Sequence, residues 1–202
     1  MEAIGGNPNG KGIMMNKYRW PIALMVLASA LAVALLVPAS ALAARATPFQ
    51  ASGTVWVVSI PDPIGAKGPL RGIFPTEEVD GLISASDWGA LAGADFITLH
   101  TSEVTFAPSG TLRGNLDGTF SMTTGAGVLS GNIRGAISGS WNPSDPGNPE
   151  GTYIRDRGQW EATSGAGEFE GKKAGGTWEA YLIWNADWGT YVGTITIRGT
   201  YQ

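Results

Sequence analysis

Three stretches of the chain place a large apolar residue or a glycine at every second position. Leu112, Gly114, Leu116, Gly118, Phe120 and Met122 make one row. Gly131, Ile133, Gly135, Ile137, Gly139 and Trp141 make the second, and Tyr191, Gly193, Ile195, Ile197, Gly199 and Tyr201 the third. A period of two is the mark of a β-strand with one buried face. Glycine recurring on that face means that room there is short, or that the strand bends hard. A small, strongly curved or closed antiparallel sheet satisfies both conditions. The residues between those of the third row, Thr190, Val192, Thr194, Thr196, Arg198 and Thr200, are strand formers suited to a solvent-facing side.

The rest of the chain repeats the theme in shorter pieces. Residues 53–60 are β-branched and aromatic and predict a first strand. Pro61, Pro63, Gly65, Gly68 and Pro69 predict a rigid loop, with two further strands around Ile73-Phe74 and Val79–Ile83. Ser86–Gly93 is the one helical turn, with a serine cap and a glycine stop. Residues 95–106 alternate as a strand. Turn signals then fall at 108–110, 125–127, 142–151, Ser164-Gly165, 174–176 and 185–189. Eight to ten strands and almost no helix predict an all-β fold, a sandwich or a single antiparallel β-barrel.

Ahead of the barrel, Lys17 and Arg19 precede an apolar run from Trp20 to Val37, then Pro38 and Ala41-Leu42-Ala43. A basic flank, an apolar core and a small-x-small site make a secretory signal peptide. Cleavage is expected after Ala43, with Ala44-Arg45-Ala46 as a second site. The basic flank lies far from Met1, so Met14 or Met15 is an alternative start. An uncleaved anchor is the competing reading, since about 18 apolar residues can span a bilayer. The expected organisation is a leader and signal peptide over 1–43, a flexible lead-in over 44–52 and a barrel over 53–202. The product is exported: periplasmic, cell-surface or secreted.

The chain has no cysteine, which excludes disulfides, thiol catalysis and thiolate metal sites, and leaves an exported domain to its core alone. Residues 44–202 hold ten basic and sixteen acidic side chains. A dispersed acidic surface disfavours nucleic acid, which needs a basic patch. It also disfavours anionic membrane surfaces, and no membrane partner is expected after cleavage. Seven tryptophans remain in this part, as core, as a stacking surface for a ligand, or as both.

Gln159-Trp160 through Gly165-Ala166-Gly167-Glu168-Phe169-Glu170-Gly171 leads into Gly175-Gly176-Thr177-Trp178. This Gly-x-Gly-x-Phe-x-Gly segment resembles the hairpin of the allene oxide cyclase/dirigent-like, calycin-like barrels. Ser109-Gly110-Thr111, Gly114, Gly118-Thr119-Phe120 and Leu129-Ser130-Gly131 with Gly135 resemble the repeated strands of bacterial members. The resemblance covers about residues 53–201, and its most specific part is 159–178. It implies an eight-stranded antiparallel barrel with a central cavity, often oligomeric. In plant members such a barrel steers cyclisation or coupling of reactive apolar intermediates. No catalytic residue of the family carries over, because no surrounding motif matches at a defined position. The glycines are not a dinucleotide fingerprint, which needs a helix to open there. They are expected to open another strand.

His100 is the only histidine, so a two-histidine metal site is excluded. Phe96, Thr98, His100 and Ser102 share one strand face; a surface or edge position is the simplest for His100, and a general base inside the barrel is the alternative. Glu77 and Glu78 point to opposite faces, so they cannot act as a pair on one substrate. Glu78 and Asp80 share a face, read as a solvated loop rim rather than an acid/base pair. Arg155, Arg157, Gln159 and Glu161 form a charged row opposite Ile154, Gly158 and Trp160. Asp156 interrupts the apolar side of that strand: it points inward as an acid/base or ligand anchor, or a bulge lies there. Asp87-Trp88-Gly89 recurs as Asp187-Trp188-Gly189, read as two turns capping the sheet, with a shared ligand rim as the alternative. Trp178, Ala180, Leu182 and Trp184 make one apolar face of a strand whose other face carries Tyr181 and Ile183, so a ligand, a loop or another subunit covers one of them. No nucleophile elbow, zinc motif, phosphate loop or calcium loop is present.

These observations leave three functional readings. One is an exported non-catalytic barrel that binds a small apolar or glycan ligand or serves as an interaction module, with Trp141, Trp160, Trp178 and Trp184 as ligand-facing candidates. Another is a cyclase/isomerase-type enzyme using Asp156 or His100 on an apolar substrate. The third is a surface structural protein or adhesin. No cofactor or metal is expected, and a homo-oligomer is compatible with all three. The state of the barrel interior separates them.

Overall fold

A computed structural model describes residues 45–59, 71–145 and 148–202. Eight strands follow one another: β1 (Thr47–Ser59), β2 (Arg71–Ser86), β3 (Asp95–Phe106), β4 (Thr111–Thr124), β5 (Gly127–Ser140), β6 (Tyr153–Gly167), β7 (Ala174–Asn185) and β8 (Thr190–Tyr201). Each pairs antiparallel with the next, and β8 pairs with β1 to close the barrel. The all-β closed barrel expected from the alternating rows is therefore the fold. The segments expected as a signal peptide and a proline-rich loop lie outside the described residues.

All three glycine-and-apolar rows face inward. The reason for their glycines is visible in two ladders. Trp178 lies beside Gly158, which pairs in turn with Gly135. Trp160 lies beside Gly176, which pairs with Gly199. A Cβ on Gly135 would stand 3.1 Å from Trp178 Cζ2, and one on Gly199 would stand 2.8 Å from Trp160 Cζ2. Each indole thus reaches across two neighbouring strands whose glycines leave it the space.

Several local expectations shift. Residues 47–52, expected as a flexible lead-in, belong to β1 and pair with β8 from Thr47↔Tyr201 onward. The two strands expected over 70–83 are one bent strand, β2. Its register slips between Phe74 and Glu77, where Thr76 takes φ 54°, the only positive φ of a non-glycine among the described residues. Ile83, Gly81, Val79 and Glu77 alternate inward, and the extra residue lets Phe74 and Gly72 point inward as well. Ser164-Gly165 and 174–176 lie inside β6 and β7, and the true turn is 168–173. Gly165 and Gly167 therefore close β6 instead of opening a new strand. The helical turn shrinks to a 3-10 turn, Gly89–Leu91, with the Trp88 N–H donating to Ser86 Oγ at 3.1 Å.

One end of the barrel, here the lower, receives the β2–β3, β4–β5 and β6–β7 connections. It is filled by aromatic rings. Trp88 stacks on Tyr201 at 4.2 Å and meets Phe49 and Phe169 edge-on at 5.3 and 5.4 Å. Trp160 meets Phe49 and Phe120 edge-on at 5.9 and 5.8 Å. Phe169, Leu91 and Leu129 are wholly buried there. Each such side chain contributes about 1.5–3 kcal/mol on leaving water.

Candidate functional site

Among the described residues, the upper half of the barrel is hollow. A cavity of about 400 Å³ opens above the middle, within the range of small-molecule sites. Its walls are apolar, with Val57, Phe74, Val104, Phe106, Leu112 and Ile137 among them, and Trp141 and Tyr191 stand nearer the upper end. Phe106 packs edge-on against both Phe74 and Trp141. Trp141 is fixed by its Nε1–H, which donates to the Ala107 carbonyl at 2.8 Å. The Tyr191 hydroxyl is tied to Thr152 Oγ1 at 2.7 Å.

Below it lies a second void of about 40 Å³. Val79, His100, Asp156 and Leu182 line both spaces, so they form the partition between them. The polar chemistry of the interior gathers at this level. Ser102 Oγ donates to Glu77 Oε2 at 2.5 Å, and His100 Nε2 lies 3.2 Å from the same oxygen. Ser102 and His100 are buried and Glu77 nearly so. Three strands therefore converge here: β2 supplies Glu77, β3 supplies His100 and Ser102, and β6 supplies Asp156.

Asp156 points inward with no bulge at its position; the register with β5 and β7 runs unbroken through it. Its neighbours across those ladders are Ile137 and Ala180, whose side chains cannot donate a hydrogen bond. Oδ1 is sealed from solvent and unpaired, although the residue as a whole is only half-buried because it borders the cavity. Burial, reinforced by the nearby charge of Glu77, pushes the carboxyl up from 3.8 to about 8. At neutral pH Asp156 is thus mostly a neutral acid, able to donate a hydrogen bond.

His100 is placed inside, against the simpler expectation of a surface or edge site, because Gly118 opposite it leaves room. A Cβ on Gly118 would come within 2.5 Å of His100 Cα and Cβ. Of the candidate tryptophans, Trp141 lines the upper cavity, while Trp160 and Trp178 line the lower void. Trp184 packs edge-on against Tyr191 at 5.4 Å. Glu78 and Asp80 share the outer wall of β2 rather than a loop rim, because β2 runs through them as strand. Arg155 is outward too and pairs with Glu179. A rim shared by the two Asp-Trp-Gly turns is excluded. Trp88 is buried in the lower plug, whereas Trp188, 62% exposed, sits in the β7–β8 connection at the opposite end. The outer face of β7 carries Tyr181 and Ile183, 48% and 51% exposed, so it is the face left uncovered among the described residues.

Glu77 is the member that sequence reasoning missed, because it fell in the gap between two supposed strands. Counting back in twos from Ile83 through Gly81 and Val79 reaches it. No family model, curated protein or solved structure matches the chain. Its class is accordingly set by the fold: a closed eight-stranded antiparallel barrel, filled below, hollow above and carrying an acid-rich floor.

Proposed function

We propose that this is an exported barrel whose upper cavity takes a small, mostly apolar molecule bearing one polar end. One observation carries that reading: an apolar cavity of about 400 Å³ ends on a floor bordered by the half-buried Asp156 carboxyl, which receives no hydrogen bond among the described residues. An unsatisfied polar group at the base of an apolar space is costly unless a ligand or water meets it. Export is part of the proposal on the strength of the leader sequence, and kinship with the allene oxide cyclase/dirigent-like barrels on that of the 159–178 segment.

Titrating the protein with 2-decanone while following tryptophan emission tests the binding. Saturable quenching is expected, and it should vanish in Leu112→Trp, which fills the cavity from its wall. Unsaturable quenching, or quenching unchanged by Leu112→Trp, would remove the proposal. An isomerase-type enzyme is the second reading, favoured by the Glu77, Ser102 and His100 cluster facing Asp156 in the same space.

A further inference from the structure

We propose that the cavity floor is a proton-transfer site for small enolisable ketones, above all β,γ-unsaturated ones, with Glu77 as base and the Asp156 carboxyl as donor to the carbonyl oxygen. The proposal rests on the upper cavity being a ligand site and assigns its chemistry.

The two carboxyl groups differ in their partners. Glu77 Oε2 receives the Ser102 hydroxyl and lies beside His100 Nε2. Among the described residues no hydrogen bond reaches Oε1, so one oxygen is held and the other is free to accept a proton. Asp156 has no donor, sits among apolar side chains and keeps its proton. A carboxylate base and a neutral carboxylic acid in one apolar cavity are a division of labour suited to abstracting a proton next to a carbonyl. Ser102 is a positioning residue here: its hydroxyl is wholly buried and donates to Glu77, so it is not an available nucleophile.

The step balances without an oxidant or reductant. Glu77 Oε1 takes the proton from the carbon between the carbonyl and the C=C bond. The C–H pair becomes a new C=C, and the carbonyl π pair moves onto oxygen, where the Asp156 hydrogen bond stabilises it. The pair then returns, and Glu77 delivers the proton to the far carbon of the former double bond. The net change is a 1,3-shift to the conjugated ketone. A carboxylate ligand is disfavoured, because it would bring another negative charge against Glu77 inside apolar walls.

The test follows conversion of cyclohex-3-en-1-one to cyclohex-2-en-1-one by ultraviolet absorbance, using the full chain. Cyclohexanone quenching of tryptophan emission measures binding separately. The wild type is expected to exceed the buffer-catalysed rate, and Glu77→Gln and Asp156→Asn to lose about 100-fold or more of it while still binding cyclohexanone. Ser102→Ala should lower kcat with little change in KM. The titratable groups facing Asp156 are Glu77 from β2 and His100 from β3; with Asp156 as donor, the rate falls as pH rises through about 8. Should Glu77→Gln fail to fold, Leu112→Trp replaces it and must abolish the rate; a rate that survives overturns the proposal. Cyclohexanone binding with no rate above buffer overturns the chemistry and leaves the binding site standing. Neither binding nor rate overturns both.

Discussion

The two halves of the barrel are built from the same eight strands and the same period of two, yet one is packed and the other hollow. Among the described residues, the difference lies in what each end receives. Below, the connections carry Trp88, Leu91 and Phe169 back into the sheet, and the first and last strands add Phe49 and Tyr201. Above, Trp141 and Tyr191 are held toward the side by hydrogen bonds to Ala107 and Thr152. Closure of a small barrel does not by itself dictate a filled interior. The plug makes the lower half a stability element, and the space it does not reach is where polar groups collect.

Breaking the plug should therefore cost most. Trp160→Ala removes the ring that spans Gly176 and Gly199 and touches Phe49 and Phe120, and a loss of about 4 kcal/mol is expected in urea denaturation. A loss below about 1 kcal/mol would mean that the two halves do not differ as described.

The next effect has the opposite sign. The folded chain holds the Asp156 proton up to about 8 whereas the unfolded chain releases it near 3.8, so folding binds a proton between these values. Stability then falls as pH rises from about 4 to about 8 and levels off above. Asp156→Asn removes that penalty, and thermal unfolding at pH 7 should show a gain on the order of 3 kcal/mol that disappears below pH 4. A variant that is less stable than the wild type at pH 7 would show that Asp156 is paired in solution.

Smaller effects sharpen the contrast. Trp141→Ala, at the upper wall, loses one hydrogen bond and part of a half-buried ring, and should cost about 1 kcal/mol in the same denaturation assay. It should nonetheless weaken ketone quenching more than Trp160→Ala measured under native conditions. Trp188→Ala, in an exposed turn, should stay within about 0.5 kcal/mol of the wild type.

The barrel was legible in the sequence wherever one strand kept a single parity, as in β4, β5 and β8. It was not legible where parity changes. The step at Thr76 hid Glu77, and the glycines at 165 and 167 read as an opening when they are an end. Asp156 was visible as a break in an apolar row, because a carboxyl at an inward position has no local reason to be there. Its partners were not visible, since β2, β3 and β6 come together only when the sheet closes. The tryptophan and glycine ladders were half legible: alternation placed the glycines inward, but only the pairing of strands shows which ring lies over which glycine.

The plugged lower end makes the barrel a flask rather than a pipe. In the proposed binding role, a ligand that enters from above leaves by the same way, so the protein would hold, shield or alter it and not pass it through the plugged end. Exchange of such a ligand should follow changes around Trp141 and Tyr191 while remaining indifferent to the turns that carry Trp88 and Phe169.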